Sequence, residues 1–373
     1  MIGAMVSYVL KRLLLMIPTI FGILLISFII IQFVPGGPVE RMIAQLQGHD
    51  TSATSRFAGG GQGDVSSTGP GSASGGAETS QYRGAQGLDP EFIKKLEKMY
   101  GFDKPAHERF ALMIKNYLTF NLGESYYRDV DVLSLILEKM PVSISLGLWT
   151  FILIYTISIP LGIRKAVRDG SGFDMWTSAV IFVGYAIPAF VMGIFLIVIF
   201  AGGRYFSWFP LRGLTSDGWE NMSFFDWALD YLWHLVLPVT SMVIGGFASL
   251  TMLTKNSFLD EISKHYVLTA RAKGLTEKQV LYGHVFRNAM LIVIAGFPAA
   301  FVAIFFTSNM LIEIIFSLDG LGLLSYQSVI NRDYPVVLGT LYFFGLISLV
   351  MHLVRDLVYV WVDPRIDFSS RAT

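Results

Sequence analysis

The chain has 373 residues, of which 53% are hydrophobic and 15% charged, against roughly 25% charged in ordinary globular proteins. That much apolar surface cannot be hidden in a water-soluble core. Zero formal net charge and zero cysteines exclude a globally basic nucleic-acid binder, disulfides, Cys-based metal sites, Cys nucleophiles and Cys lipidation.

Lys11 and Arg12 precede an apolar run, Leu13–Val34. It is too long for a signal-peptide core and lacks an A-x-A-like cleavage site, so residues 1–34 read as an N-terminus and an uncleaved span. Residues 35–140 form a long external loop. Its tract 48–87 is rich in Gly, Ser, Thr and Ala, and is expected to be flexible because it can bury too little to offset ordering entropy. Asp89-Pro90-Glu91 is a helix start, followed by Phe92, Ile93, Leu96, Met99 and Tyr100 at helical spacing, with Gly101 as the stop. Phe110, Met113, Ile114, Tyr117 and Leu118 mark a second amphipathic helix. The pair is equally a platform for a cargo-delivering protein and a structural cap.

Residues 141–360 carry five more runs long enough to cross about 30 Å of hydrocarbon: Val142–Ile163, Met175–Gly202, Leu232–Leu253, Ala289–Ile312 and Val336–Val360. Residues 361–373 are a tail. The runs are nearly free of charge, since an Asp or Arg at a helix centre costs about 2.5–3.5 kcal/mol. Glu313 closes the fifth span; His352, Arg355 and Asp356 lie late in the sixth. Pro18, Pro160, Pro188, Pro238 and Pro298 predict kinks. Gly245, Gly246 and Ala248, and Ala295, Gly296, Ala299 and Ala300, have the spacing of close helix packing; a moving lining is the alternative. Arg164, Lys165 and Arg168 enrich one short loop in base. Residues 255–288 hold six bases against three acids. The Trp208–Leu235 connection has only Arg212 against Asp217, Glu220, Asp226 and Asp230, and the last connection only Arg332. The basic loops and both termini are therefore expected in the cytoplasm.

The segment 255–288 is the most informative. A helix is expected from Phe258 to Lys273, ended at Gly274 in the left-handed conformation. Thr276 and Gln279 have capping-box spacing for a second helix through Tyr282, His284 and Phe286 to Asn288. A basic loop that merely fixes topology is the plainer reading.

The run Tyr266-Val-Leu-Thr-Ala-Arg-Ala-Lys-Gly274-Leu275, then His284-Val-Phe-Arg-Asn-Ala289, resembles the EAA loop of bacterial ABC-importer permeases of the dipeptide/oligopeptide group. Tyr8-Val-Leu-Lys-Arg-Leu-Leu, Pro35-Gly-Gly-Pro38, Gly101-Phe-Asp-Lys-Pro105, Asn121-Leu-Gly-Glu-Ser125, Ile187-Pro-Ala-Phe190, Phe316-Ser-Leu-Asp-Gly-Leu-Gly322, Arg332-Asp-Tyr-Pro335 and Val362-Asp-Pro-Arg365 resemble that group too. The long glycine-rich tract, with Tyr82-Arg-Gly and Leu211-Arg-Gly-Leu214, resembles its B-type permeases for peptides and microcin C. Three positions depart from the pattern: Leu268 and Thr269 replace Glu and Ala, Ile292 stands where Pro is frequent, and Pro35-Gly-Gly-Pro38 replaces an acidic form.

The resemblance implies an all-α integral membrane fold with about six transmembrane helices, the type I (MetI-like) importer permease. It implies a coupling helix at Thr269, Ala270, Arg271, Ala272, Lys273, Gly274 and Leu275, seated in an ATPase subunit. ATP and Mg would then sit on that ATPase, with no cofactor in this chain. Implied partners are a second permease subunit, a periplasmic solute-binding protein, a peptide substrate and lipid, in the bacterial inner membrane, with no nucleic acid. Consistent with a separate motor, no Gly-Lys dipeptide and hence no P-loop occurs. No H-E-x-x-H or G-x-S-x-G is present, since His107-Glu108 lacks a second His. A passive channel or secondary carrier, and a membrane enzyme or scaffold, are the competing classes. Tyr185, Phe190, Phe247 and Asn309 lie at span positions that can face a path, though each also suits plain packing.

Overall fold

The computed structural model describes residues 2–33, 104–128, 130–203, 205–304 and 310–362. The tract 48–87, the helix after Asp89 and Asn309 lie outside the described residues. Among the described residues the chain is helical, with only an isolated antiparallel bridge between Glu124 and Asp131. The helices are α1 (Ile2–Phe33), α2 (Ala106–Leu118), α3 (Val132–Val167), α4 (Gly172–Ala186), α5 (Ala189–Phe200), α6 (Phe224–Ile262) and α7 (His265–Ala272). They continue with α8 (Glu277–Val280), a π turn (Leu281–Val285), α9 (Phe286–Ile304), α10 (Met310–Ile315), α11 (Leu321–Ile330) and α12 (Tyr334–Val362). Among the described residues five helices are long and apolar enough to cross a membrane, or up to six if the pair α4–α5 counts as one span. The all-helical expectation holds.

Several boundaries differ from those expected. The span 175–202 is not one rod: α4 and α5 meet at 97°. Pro188 has no N–H to continue the ladder and biases Ile187 out of the helical region, and Ile187 is extended with ψ 118. The connection before the fourth span is shorter than read, because Ser223 caps α6 by accepting from the Asp226 amide. At 39 residues, α6 is about 58 Å long, nearly twice the roughly 30 Å hydrocarbon thickness.

The described residues form two compact units. One is drawn from Met1–Met16, Leu137–Leu324 and Leu346–Thr373, the other from Ile17–Ile136 and Ser325–Gly345. In the first unit, α6 is the hub against which α4, α5 and α9 pack. A Cβ on Gly162 would lie 2.6 Å from Thr254 Cβ, and one on Gly246 would lie 2.2 Å from Ile154 Cδ1, so these glycines permit the close α3–α6 crossing. Among the described residues nothing lies within 4 Å of a Cβ built on Gly296 in the second small-residue run, nor of one built on Gly245 in the first. Tyr8 donates to Asp356 at 2.8 Å and Arg12 pairs with it at 2.7 Å, tying α1 to α12.

In the second unit, two motifs far apart in sequence meet. Ser125 donates to Asp333 at 2.5 Å and the Tyr126 amide donates to the other carboxylate oxygen at 3.0 Å. Arg128 reaches Gln327 at 2.8 Å. Phe110 of α2 packs between Phe21 and Phe28, with ring centres at 5.7 and 5.1 Å. Tyr117 is buried edge-on to Tyr342, and burial pushes its phenol pKa up. Leu118, expected on the same apolar face, is instead 62% exposed.

Candidate functional site

The segment 255–288 departs from a simple helix–turn–helix. The helix expected over Phe258–Lys273 breaks at Ser263–Lys264, where Lys264 is extended with ψ 150. Ser263 Oγ donates back to the Asp260 carbonyl at 2.9 Å, the local competition that ends helices at serine. Glu261 spans the break, taking Lys264 and the Tyr266 hydroxyl, the latter at 2.7 Å. Burial, together with this donation to Glu261, raises the Tyr266 pKa.

The turn itself is as expected. Gly274 has φ +84, its amide donates to Arg271 O at 2.9 Å, and the Leu275 amide donates to Ala270 O at 3.4 Å. This pair of bonds is a Schellman motif. Thr276 and Gln279 form the full capping box. Arg271 pairs with Glu277 at 2.9 Å across the turn. Ile292 lies within the uninterrupted α9; the irregularity comes earlier, as the π turn at Leu281–Val285.

The loop has two faces. Thr269, Arg271, Ala272, Lys273 and Gly274 are exposed, and Leu275 is half-buried. Behind them Val267 and Ala270 are buried in a cluster with Ile163 and Ala166 of α3, Leu250 and Phe258 of α6, and Val280, Val285 and Ala289 beyond the turn. Close packing of this kind transmits displacement rather than absorbing it. A groove of about 270 Å³ opens beside the loop, lined in part by Val267, Arg271, Glu277 and Tyr282.

The candidate path residues are not gathered here. Tyr185 lies in the last turn of α4 and is 58% exposed, while Phe190 lies in the first turn of α5 beyond the 97° bend and is 36% exposed. Phe247 packs against the cluster of Leu146, Leu196 and Met242. Asn309 lies outside the described residues.

Two polar centres are not legible in the sequence pattern. Lys165, read as a loop base, has a fully buried side chain. Its three N–H groups go to the Asp174 carbonyl at 2.9 Å, Thr177 Oγ1 at 2.8 Å and Ser178 Oγ at 2.7 Å. Asp174 Oδ1, also 2.9 Å away, is thus a charge contact and not a hydrogen-bond acceptor. Lys255 then bridges Asp174 and Asp169, each at 2.7 Å. Paired acids of this kind are what a buried lysine requires.

The second centre is Glu313, which sits in the short α10 with 0% exposure. It accepts from Ser143 at 2.9 Å and from the Leu323 amide at 2.7 Å, while the Leu321 amide donates to Ser143 at 2.9 Å. The carboxylate therefore caps the start of α11 from another helix. The available signal is the motif Phe316–Gly322, which begins three residues after Glu313.

Comparison with known proteins follows this geometry. Residues 158–368, which include the whole 269–275 turn, match the family described as "Binding-protein-dependent transport system inner membrane component". The chain is 60% identical over 367 residues to the "Peptidoglycan transport system permease protein YejB" of Agrobacterium fabrum (strain C58 / ATCC 33970), covering 98% of this chain and 99% of that one. It is 55% identical over 366 residues to the "Inner membrane ABC transporter permease protein YejB" of Escherichia coli O157:H7, covering 98% and 100%. It is 30% identical over 365 residues to the "Oligopeptide transport system permease protein AppB" of Bacillus subtilis (strain 168), covering 98% and 100%. This chain, whose described residues are helical with five or six stretches apolar enough to cross a membrane and which is matched in this way over 98% of its length, belongs to the inner membrane components of binding-protein-dependent transport systems.

Proposed function

We propose that this chain forms half of the translocation path of an ATP-driven peptide importer in the bacterial inner membrane. A second permease subunit would supply the other half, and separate ATPase subunits would bind ATP and Mg. Both termini and the 255–288 segment would face the cytoplasm, and a periplasmic binding protein would deliver cargo to the α2 side. One observation carries the reading: the exposed turn at 269–275 is backed by Val267 and Ala270 inside a cluster shared with α3, α6 and α9. A partner seated on the turn can then move three helices together, biasing a two-state gate. Peptide cargo follows from the oligopeptide permease relative.

The name of the Agrobacterium relative favours a second reading, in which the cargo is a peptidoglycan fragment. Such fragments carry peptide stems, so a competition assay separates the two. Vesicles containing the full importer should take up labelled peptide only with nucleotide. Plain peptides should compete if the first reading is right, and muropeptides alone if the second is. Gly274→Glu places a charged side chain on the docking face and should reduce uptake at least tenfold, the cost of about 1.4 kcal/mol. Unchanged uptake, or uptake without nucleotide, sinks the coupled mechanism and leaves a passive carrier.

A further inference from the structure

Four bases lie where α3 ends and α6 passes: Arg164, Lys165, Arg168 and Lys255. Both lysines are consumed internally by Asp174 and Asp169. The arginines are not. Both are exposed, and neither meets a carboxylate among the described residues; Arg168 lies 6.0 Å from the centre of the Phe173 ring. Arg164 lies in the last turn of α3 and Arg168 just past its end, where its amide donates to the Arg164 carbonyl at 3.1 Å, so the two are one turn apart. Both line a groove of about 740 Å³ that continues over apolar surface, including Ile163, Leu281 and Phe286, with the half-exposed Tyr282 in the same lining.

We propose that this groove binds one anionic phospholipid, its phosphate on Arg164 and Arg168 and an acyl chain along Ile163, Leu281 and Phe286. Two guanidiniums one turn apart at a helix end suit a phosphodiester. A soluble anion would use the arginines but leave the adjoining apolar trough wet, whereas an amphiphile satisfies both. Tyrosine suits the headgroup level, and basic pockets between helices at a cytoplasmic face attract anionic lipid. One wall of the groove is the π turn that joins the 269–275 loop to α9, so the lipid would press on the element that carries motion from that loop. The inference rests on the permease reading, with this end of the bundle at the cytoplasmic face.

The test is native mass spectrometry of the complete importer, released from membranes of equal phosphatidylcholine and phosphatidylglycerol. Wild type should retain phosphatidylglycerol, and Arg164→Gln with Arg168→Gln should retain roughly tenfold less; Arg212→Gln should change nothing. If the double variant does not assemble, the two single variants carry the comparison. Equal retention by the variants overturns the site. So does displacement by inorganic phosphate, which marks a small-anion site, or capture of a polypeptide instead of lipid by a photocrosslinker at Tyr282. Peptide uptake is scored separately in vesicles of the same lipids. Uptake without selective lipid retention sinks the lipid site alone; retention without uptake sinks the transport reading alone.

Discussion

Two glycine turns in the same unit, Gly274 and Gly320, look alike as sequence and differ in physics. Gly274 is needed for its backbone: φ is +84, and among the described residues an added Cβ would meet nothing within 4 Å. Gly320 is needed for its emptiness: an added Cβ would lie 2.5 Å from Glu313 Oε1 and 2.6 Å from Cδ. The first turn is completed by neighbours in sequence, through a Schellman motif, a capping box and the Arg271–Glu277 pair. The second is completed from a distance, by Glu313 and Ser143. A locally completed turn can be presented to a partner without disturbing the core. A turn closed over a buried carboxylate belongs to the core itself.

The comparison breaks most sharply at Gly320→Ala. The methyl displaces a fully buried carboxylate from its donors, at a cost of about 2–4 kcal/mol. Loss of protein from the membrane fraction and a lower Tm in detergent should show it; an unchanged Tm would mean that the cradle relaxes freely. Gly274→Ala should cost less, about 1 kcal/mol of backbone strain, with assembled protein still recovered. Gly274→Asn should sit closer to wild type, because asparagine tolerates the left-handed region. If alanine and asparagine behave alike, conformation is not what Gly274 supplies. The smallest effect belongs to Thr276→Ala, about 0.5–1 kcal/mol for a lost cap, read as faster hydrogen exchange in 276–280 with the rest of the chain unaltered.

Legibility in the sequence follows the same division. The left-handed Gly274 and the Thr276–Gln279 box were readable because their partners lie within a few residues. The apolar runs were readable because lipid imposes their length. The Ser263 break was missed because the helical spacing of Phe258, Ile262 and Tyr266 masks a single serine that turns back on its own carbonyl. Lys165 reads as a loop base because its partners, Asp174, Thr177 and Ser178, depend on how α4 folds back against α3. Glu313 looked like a charge at a span's end; its role depends on Ser143, 170 positions away. Ser125 and Asp333 each lie in a distinct sequence motif, yet nothing local says that the motifs meet.

The bend at Pro188 has a consequence for how the chain is built. Helices α4 and α5 have 15 and 12 residues, about 22 and 18 Å, and neither alone spans about 30 Å of hydrocarbon. An insertion machinery reading hydrophobicity meets them as one continuous stretch. The elbow also interrupts the backbone ladder, and lipid offers no replacement donors or acceptors. Its wall is α6, which is synthesised later and packs against both halves. The corner is therefore expected to set only after α6 has been made, so the order of synthesis and the final shape of this span are linked.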